Sequence, residues 1–485
     1  MNEQKEEKKK NGKRKKRRSK NQEMLYVSYI FLGIFVCMIG YFVYFQMMVS
    51  GDVITSPYNK RQDTFADRVV RGDIVTSDDV VIATTNVAED GSETRVYPYD
   101  DLFAHVVGYA SHGKSGIELL ANYQLLTSHA YFLERFVNEV QEEKNIGDTV
   151  VTTLDFHLQK TAYEALGDYR GTVIAIEPST GKILTMVSKP DYNPNEIETN
   201  WTGISGSSES VLLNRATQGL YPPGSVFKIV TLLEYMREGN DLEDWTYECT
   251  GSYTEDDVTI NCYHGNSHGT VDLKTAFAKS CNGAFAKMGM EIDHTQFMDT
   301  CSELLFNTDL PIELPAKQSS VKLDADSDTG TVMQTAIGQA ATAVTPMHMA
   351  LITSAIANGG NLMEPYLIDS IENYTGERVK KYMPSSYGKI MSAEEAEILT
   401  EYMTETVLSG TGSKLQGAAY TAAGKTGTAE YSSDKSKSHA WFVGFSNVED
   451  PDLVVCVLVE GAGAGSEYAV PIAKKMFDSY YSLSN

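Results

Sequence analysis

The chain of 485 residues has room for two or three domains, one of them with a large core. Its formal charge of −24 is uneven: residues 1–23 hold eleven Lys and Arg against four Glu, while the rest carries 30 basic and 61 acidic residues. So acidic a body excludes nucleic acid as a partner. The sequence holds no C-x-x-C, no H-E-x-x-H and no clustered histidines, so neither a metal nor a cofactor is expected.

The basic tail, residues 1–23, runs into MLYVSYIFLGIFVCMIGYFVYFQMMV, residues 24–49, which carries no charge. As a helix these 26 residues extend about 39 Å, enough to cross a hydrocarbon core of about 30 Å. A cleaved signal peptide is the alternative. Its apolar part would be shorter, and SGDVITSPYNKR gives no clear cleavage site. The expectation is an uncleaved single-pass anchor in membrane lipid, with the tail cytoplasmic and everything from Ser50 outside.

Residues 50–150 are mixed and polar, with RGDIVTSDDVVIATT reading as two short strands and FLERFVNEVQEEK as a charged helix. A boundary is expected near GDTVVTTLD, separating this smaller extracellular domain from residues 151–485. GTVIAIEPSTGKILTMVS reads as strand, turn at Pro178 to Gly181, and strand. The segment SVFKIVTLLEYM, Ser225 to Met236, reads as a helix that is apolar all round and therefore buried. TGSYTEDDVTIN reads as two strands and a turn between Cys249 and Cys262. Those two cysteines suit either a disulfide or two buried thiols, and sequence supplies no Cα distance to choose. VDLKTAFAKSCNGAFAKMGM is helical with a break at its middle. TPMHMALITSAIANGG is a helix capped by Thr345, with Pro346 at its first position. HAWFVGFS and DLVVCVLVEG are strands, and YAVPIAKKMFDSYYS is a closing helix. Strands from both ends of residues 151–485 thus form one sheet with helices packed on it, an α+β arrangement.

A lysine inside an all-apolar helix needs a reason. Lys228 lies three residues after Ser225, on the same side of the helix. A buried ammonium is costly unless it is paired or loses its proton. S-x-x-K also occurs at Ser111, Ser179, Ser319, Ser386 and Ser432, none of them on such a helix. Read alone, Ser225 is equally well a helix cap and Lys228 a snorkelling side chain. Two further stretches change the balance: Ser280-Cys281-Asn282, 55 residues downstream, and KTGTAE from Lys425 to Glu430, which opens the final strands. The three in this order, helix under the first and strand at the third, form a joint acyl-transfer signal. Trp441, Phe442 and Tyr221 are read as core.

With these motifs the chain resembles the class B penicillin-binding proteins, the peptidoglycan D,D-transpeptidases. RGDI, HVVGYA, GIELLANYQLL, IGQAATAVTPMHMA and AWFVGF add to the likeness. One departure is TSDDVVIA after RGDI, where the family usually places a glycine turn. No glycosyltransferase segment is visible, so the bifunctional class A pattern does not fit. The resemblance implies a penicillin-binding fold, an antiparallel sheet flanked by helices plus an all-helical lobe. It also implies that Ser225 attacks the carbonyl of a D-Ala-D-Ala stem peptide with Lys228 as base, and that Ser280 relays a proton to the leaving amine. Asn282 would hold the substrate amide. Lys425, as a cation, with Thr426 and Thr428 would hold its carboxylate. Gly427 would let the substrate backbone come close. The N–H groups of Ser225 and Thr428 would form the oxyanion hole. Implied partners are stem peptides, β-lactams and a membrane glycosyltransferase. Alternatives on the same fold are a β-lactam sensor, a β-lactamase or an inactive wall-assembly scaffold.

Overall fold

The computed structural model describes residues 20–49, 66–141, 143–431 and 437–483, in two units that divide after residue 60. The first unit is a helix, Lys20–Tyr44, whose last turns widen over Phe45–Val49. From Gln22 to Val49 it is long and apolar enough to cross a membrane. It lies where the uncharged run predicts it.

The second unit is built on an all-antiparallel sheet of five strands. Their order is Ala422–Glu430, Ser438–Ser446, Leu453–Val459, Gly171–Glu177 and Lys182–Lys189. The near-continuous apolar runs AWFVGF and LVVCVLV follow from burial on both faces. Trp441, Val443 and Phe445 point into one core, shared with the helical lobe, and Ala440 and Phe442 into another. Alternation along a strand makes that division. The second core packs Phe156–Leu166 and Gly465–Leu483. The first holds Pro346–Ala357, in which every residue is buried, with the Thr345 hydroxyl accepting from His348 N–H at 3.2 Å as the cap.

A second sheet, of six strands, has the order Arg378–Lys381, Ile368–Glu372, Thr149–Thr152, Ile74–Val75, Val81–Val87 and Glu93–Val96. The boundary expected at residue 150 therefore falls inside a strand. Thr149–Thr152 pairs with Ile74–Val75 on one side and with Ile368–Glu372, more than 200 residues on, at the other. Sequence order cannot show that return, because strand pairing is non-local. After RGDI the turn is made by Asp79 at φ +61, a left-handed position that Asp tolerates without glycine. The helical lobe also carries two two-stranded ladders, Ser252–Glu255 with Val258–Asn261 and Thr246–Cys249 with Gly269–Asp272. The first matches the expected pair of strands.

Beneath the six-stranded sheet, the fully buried Glu118 gathers two guanidiniums. Arg71 Nε meets its Oε2 at 2.6 Å and Arg95 Nε its Oε1 at 2.7 Å. Arg71 also donates to Asn122 Oδ1 at 2.6 Å, and Arg95 to Gly72 O at 2.7 Å. Removing the anion leaves both cations desolvated and unpaired. Glu118→Gln is expected to cost about 3–5 kcal/mol of stability, read by denaturant unfolding of the detergent-solubilised chain. A loss below about 1 kcal/mol, the range of exposed pairs, would show that the cluster is solvated.

Candidate active site

The turn before Ser225 is fixed from three sides. Tyr221 and Val344 exchange backbone hydrogen bonds of 2.9 and 2.8 Å, and Gly224 N–H donates to Gly338 O at 2.8 Å. Trp441 Nε1 donates to Pro222 O at 3.1 Å. Gly224 sits at φ +52, a conformation that glycine takes without strain. The chain then makes one 3₁₀ turn, Gly224–Phe227, and continues as the α-helix Lys228–Arg237. In a 3₁₀ turn positions i and i+3 eclipse, which stacks Ser225 over Lys228. Ser225 is partly exposed, and among the described residues its hydroxyl makes no hydrogen bond.

Lys228 is fully buried, as the apolar helix requires. Its Nζ donates to Asn282 Oδ1 at 2.8 Å, to Ser280 O at 2.8 Å and to Ser280 Oγ at 3.2 Å. Lys425, also fully buried, reaches the same Ser280 Oγ at 3.0 Å and donates to Thr426 O at 3.1 Å. One hydroxyl thus lies between two amines. Each amine also faces an aromatic ring, Phe285 at 5.3 Å from Lys228 and Phe277 at 5.4 Å from Lys425. Burial lowers Lys228 to about 8, against an opposing pull from the Cys281 and Cys262 sulfurs. Burial, and then the charge of Lys228, push Lys425 well below the ordinary lysine range. Two full charges do not coexist cheaply here, so the pair favours fewer protons than two ammoniums would hold.

The break in the helical stretch is Ser280 itself. Its φ is +57, left-handed for a residue with a side chain, between the helices Leu273–Ala278 and Asn282–Glu291. Such strain persists only where the surroundings enforce it. Here Ser280 N–H donates to Phe277 O at 3.0 Å and Cys281 N–H to Ala276 O at 2.8 Å. The result aims both the hydroxyl and the carbonyl of Ser280 at Lys228. Asn282 is held from its other end, with Nδ2 donating to Asn261 O at 3.0 Å.

On the strand Ala422–Glu430, Thr426 shares a hydrogen bond with Thr411, a residue the motif reading does not find. The Ser409–Gly412 stretch is pressed onto the end of the Leu273–Ala278 helix, with Thr411 N–H donating to Ala278 O at 3.1 Å. Thr428 Oγ1 accepts from Gly465 N–H at 3.4 Å and has no bond to the two amines. Gly427 also has a close approach within the chain itself. A Cβ there would lie 3.0 Å from Pro223 O and Trp441 Cβ and 3.2 Å from Val226, so the missing side chain makes room for the Ser225 turn.

Tyr221, expected as core, is buried, and its hydroxyl donates to Glu460 Oε1 at 2.7 Å. Arg215 Nε meets the same oxygen at 2.8 Å and Arg170 Nε meets Oε2 at 3.1 Å. Trp441 and Phe442 are fully buried, as read. Arg215 and Glu460 lie 245 positions apart and belong to no motif, so no sequence signal pairs them. Behind Ser280, four ligand atoms from Cys249, Cys262, His268 and Cys281 lie within 4.8 Å of one another. The sequence reading, which expected no metal, does not foresee this cluster. The four come from separate local elements, so no clustered motif announces them.

Residues 171–478 match the family described as penicillin binding protein transpeptidase domain, and residues 71–150 the penicillin binding protein A dimerisation domain. The peptidoglycan D,D-transpeptidase PbpA of Mycolicibacterium smegmatis is 32% identical over 409 residues, covering 78% of this chain and 82% of that protein. The D,D-transpeptidase domain structure from Eggerthella lenta superposes with a TM-score of 0.78 at 29% identity, over 86% of this chain and 99% of that one. Penicillin-binding protein A of Mycobacterium tuberculosis, solved as a ceftriaxone acyl-enzyme, gives a TM-score of 0.78 at 28% identity with the same coverage.

If Gly427 is small because the Ser225 turn rests on it, Gly427→Ala must push that turn away. Overpacking of this kind costs about 1–3 kcal/mol. The variant is expected to fold, to melt lower, and to react more slowly with a fluorescent penicillin than the parent chain. Unchanged reaction rates would show that the turn does not depend on this contact.

Proposed function

The chain belongs to the penicillin-binding protein transpeptidase family, and from that premise we propose that it is a peptidoglycan D,D-transpeptidase acting through an acyl-enzyme on Ser225. The observation that carries the assignment of roles is the Ser280 hydroxyl, held between two buried amines directly behind the Ser225 turn.

The chemistry follows from those positions. A serine hydroxyl attacks a carbonyl only as its proton leaves. Lys228, one 3₁₀ turn after Ser225, takes the role of base, and burial lowers it to about 8, so a neutral amine is accessible near neutral pH. Ser225 Oγ bonds to the carbonyl carbon of the penultimate D-Ala, and its proton passes to Lys228. The N–H groups of Ser225 and Thr428 stabilise the oxyanion. Ser280 then hands a proton to the amine of the terminal D-Ala as the peptide bond breaks, drawing on Lys228 at 3.2 Å. An amine from a second stem peptide attacks the resulting ester, frees Ser225 and leaves a cross-link. Asn282 orients the substrate amide from a side chain already anchored at both ends. The incoming carboxylate supplies the negative charge that lets Lys425 hold a full proton, helped by the hydroxyls of Thr426 and Thr428. A β-lactam replaces the peptide bond with a strained amide and acylates the same serine.

The apolar helix anchors the chain in the membrane by one span, with the basic tail in the cytoplasm and residues 66–483 outside. Residues 50–150 serve as a pedestal for residues 151–485. The glycan strands consumed there must come from a glycosyltransferase at the same membrane face.

Ser225→Ala is expected to abolish covalent penicillin labelling without loss of fold, since the packing of the turn comes from its neighbours. Peptide mass mapping locates the adduct, and an adduct on another serine would refute the assignment. Lys228→Arg keeps a positive charge but cannot release its proton. Acylation is expected to fall by about 10²- to 10⁴-fold, the worth of general-base catalysis. If more than about a tenth of the rate survived, Lys228 would be structural. Only the neutral amine accepts a proton, so the second-order acylation rate is expected to rise with pH and level off above about 8. A profile flat across that value would assign the proton to another group.

A further inference from the structure

The cluster behind Ser280 has the shape and chemistry of a metal site. Cys249 ends the strand Thr246–Cys249, Cys262 follows the strand Val258–Asn261, His268 precedes Gly269–Asp272, and Cys281 lies between Ser280 and Asn282. The three sulfurs are buried and the imidazole is half-buried. Cys249 Sγ lies 3.6 Å from Cys262 Sγ, Cys262 Sγ lies 3.8 Å from Cys281 Sγ, and His268 Nδ1 lies 3.3 Å from Cys249 Sγ. A tetrahedral zinc with Zn–S bonds of about 2.3 Å separates its sulfurs by about 3.8 Å, which these distances match. A disulfide needs about 2.05 Å and would leave the third thiol and the imidazole without a partner.

The surroundings suit sulfur carrying negative charge. Cys281 directly precedes the ten-residue helix Asn282–Glu291, where the helix N-terminus favours negative charge. Each of the three cysteines also has its backbone fixed independently of any ion. Cys262 N–H donates to Gly251 O at 2.9 Å, Cys281 N–H to Ala276 O at 2.8 Å, and Cys249 O accepts from Ser267 Oγ at 2.6 Å. The donor set is three thiols and one imidazole, a combination that selects zinc over harder cations.

We propose that Cys249, Cys262, His268 and Cys281 bind one Zn²⁺ in a closed, four-ligand structural site that clamps the turn carrying Ser280 and Asn282. Three thiol protons leave to solvent on binding, and neutral His268 completes the set. Cys281 ties the site to catalysis, since its two neighbours are the groups that hold Lys228. The zinc touches no substrate and acts by position.

The test uses the full-length chain, solubilised in detergent and purified with a non-chelating reductant and no added metal. Elemental analysis is expected to give one zinc per chain. After chelation, Zn²⁺ restores the ion, and Co²⁺ gives the absorption of a tetrahedral site with thiolate ligands. Penicillin acylation at Ser225 is expected to fall by about 10-fold or more on metal removal, the scale set by positioning groups around metals, and to return with Zn²⁺. His268→Ala leaves all three sulfurs and lies in a partly exposed loop, so it is expected to fold and to bind Zn²⁺ at least about 10-fold more weakly. A reduced chain that takes up neither Zn²⁺ nor Co²⁺ overturns the site, and so does a stable disulfide among these cysteines in chain isolated without reductant. Zinc bound with acylation indifferent to its removal overturns the clamp. Zinc bound with no labelling of Ser225 in any state leaves the site standing and removes the transpeptidase reading.

Discussion

Two lysine side chains are buried against one serine hydroxyl, and most of the surrounding architecture exists to make that tolerable. An ammonium taken out of water loses several kcal/mol of hydration. Here the loss is offset by carbonyl oxygens, an amide oxygen, a shared hydroxyl and two aromatic faces. The remaining deficit appears as lowered proton affinity, and that is the useful part. A structural ion pair would have supplied a carboxylate. Among the described residues, no hydrogen bond of either amine goes to one.

Holding both amines on Ser280 requires three distant pieces of chain to converge at hydrogen-bond distance. The helix Lys228–Arg237 brings one, the strand Ala422–Glu430 the other, and the left-handed break at Ser280 the acceptor between them. The five-stranded sheet makes this repeatable because its strands are buried on both faces and have no freedom to slip register. Gly427 and Trp441 then seat the Ser225 turn directly on that sheet. A one-residue shift would turn Lys425 to the opposite face.

The Glu460 carboxylate plays the matching part on the far side of the turn. It collects Tyr221, Arg215 and Arg170; burial raises its carboxyl, but those partners outweigh burial and hold it below the usual carboxylate range. Tyr221 is thereby fixed four residues before the nucleophile, with its ring edge against Trp441. The cysteine–histidine cluster occupies the equivalent place behind Ser280. The motif residues are thus braced from behind largely by groups outside the motifs, Cys281 being the exception.

The sequence by itself determined the anchor, the buried helix under Ser225, the break at Ser280 and the strands at both ends of the main sheet. These depend on local pattern: an uncharged run long enough for a bilayer, apolar residues all round a helix, alternation or continuous burial along strands. It also placed Ser225, Lys228, Ser280, Asn282 and Lys425 in one site through the joint order of three motifs. The tertiary structure decided what depends on contacts between distant segments. It directed Lys228 to Ser280 and Asn282, gave Gly427 the task of admitting the Ser225 turn, and brought Thr411 and Glu460 to positions no spacing predicts. It carried residues 368–381 back into the sheet of residues 74–152, across the boundary expected at 150. Three cysteines and a histidine that share no motif meet only because two short ladders and a helix break converge, and ligand distances are a property of folded space rather than of the chain.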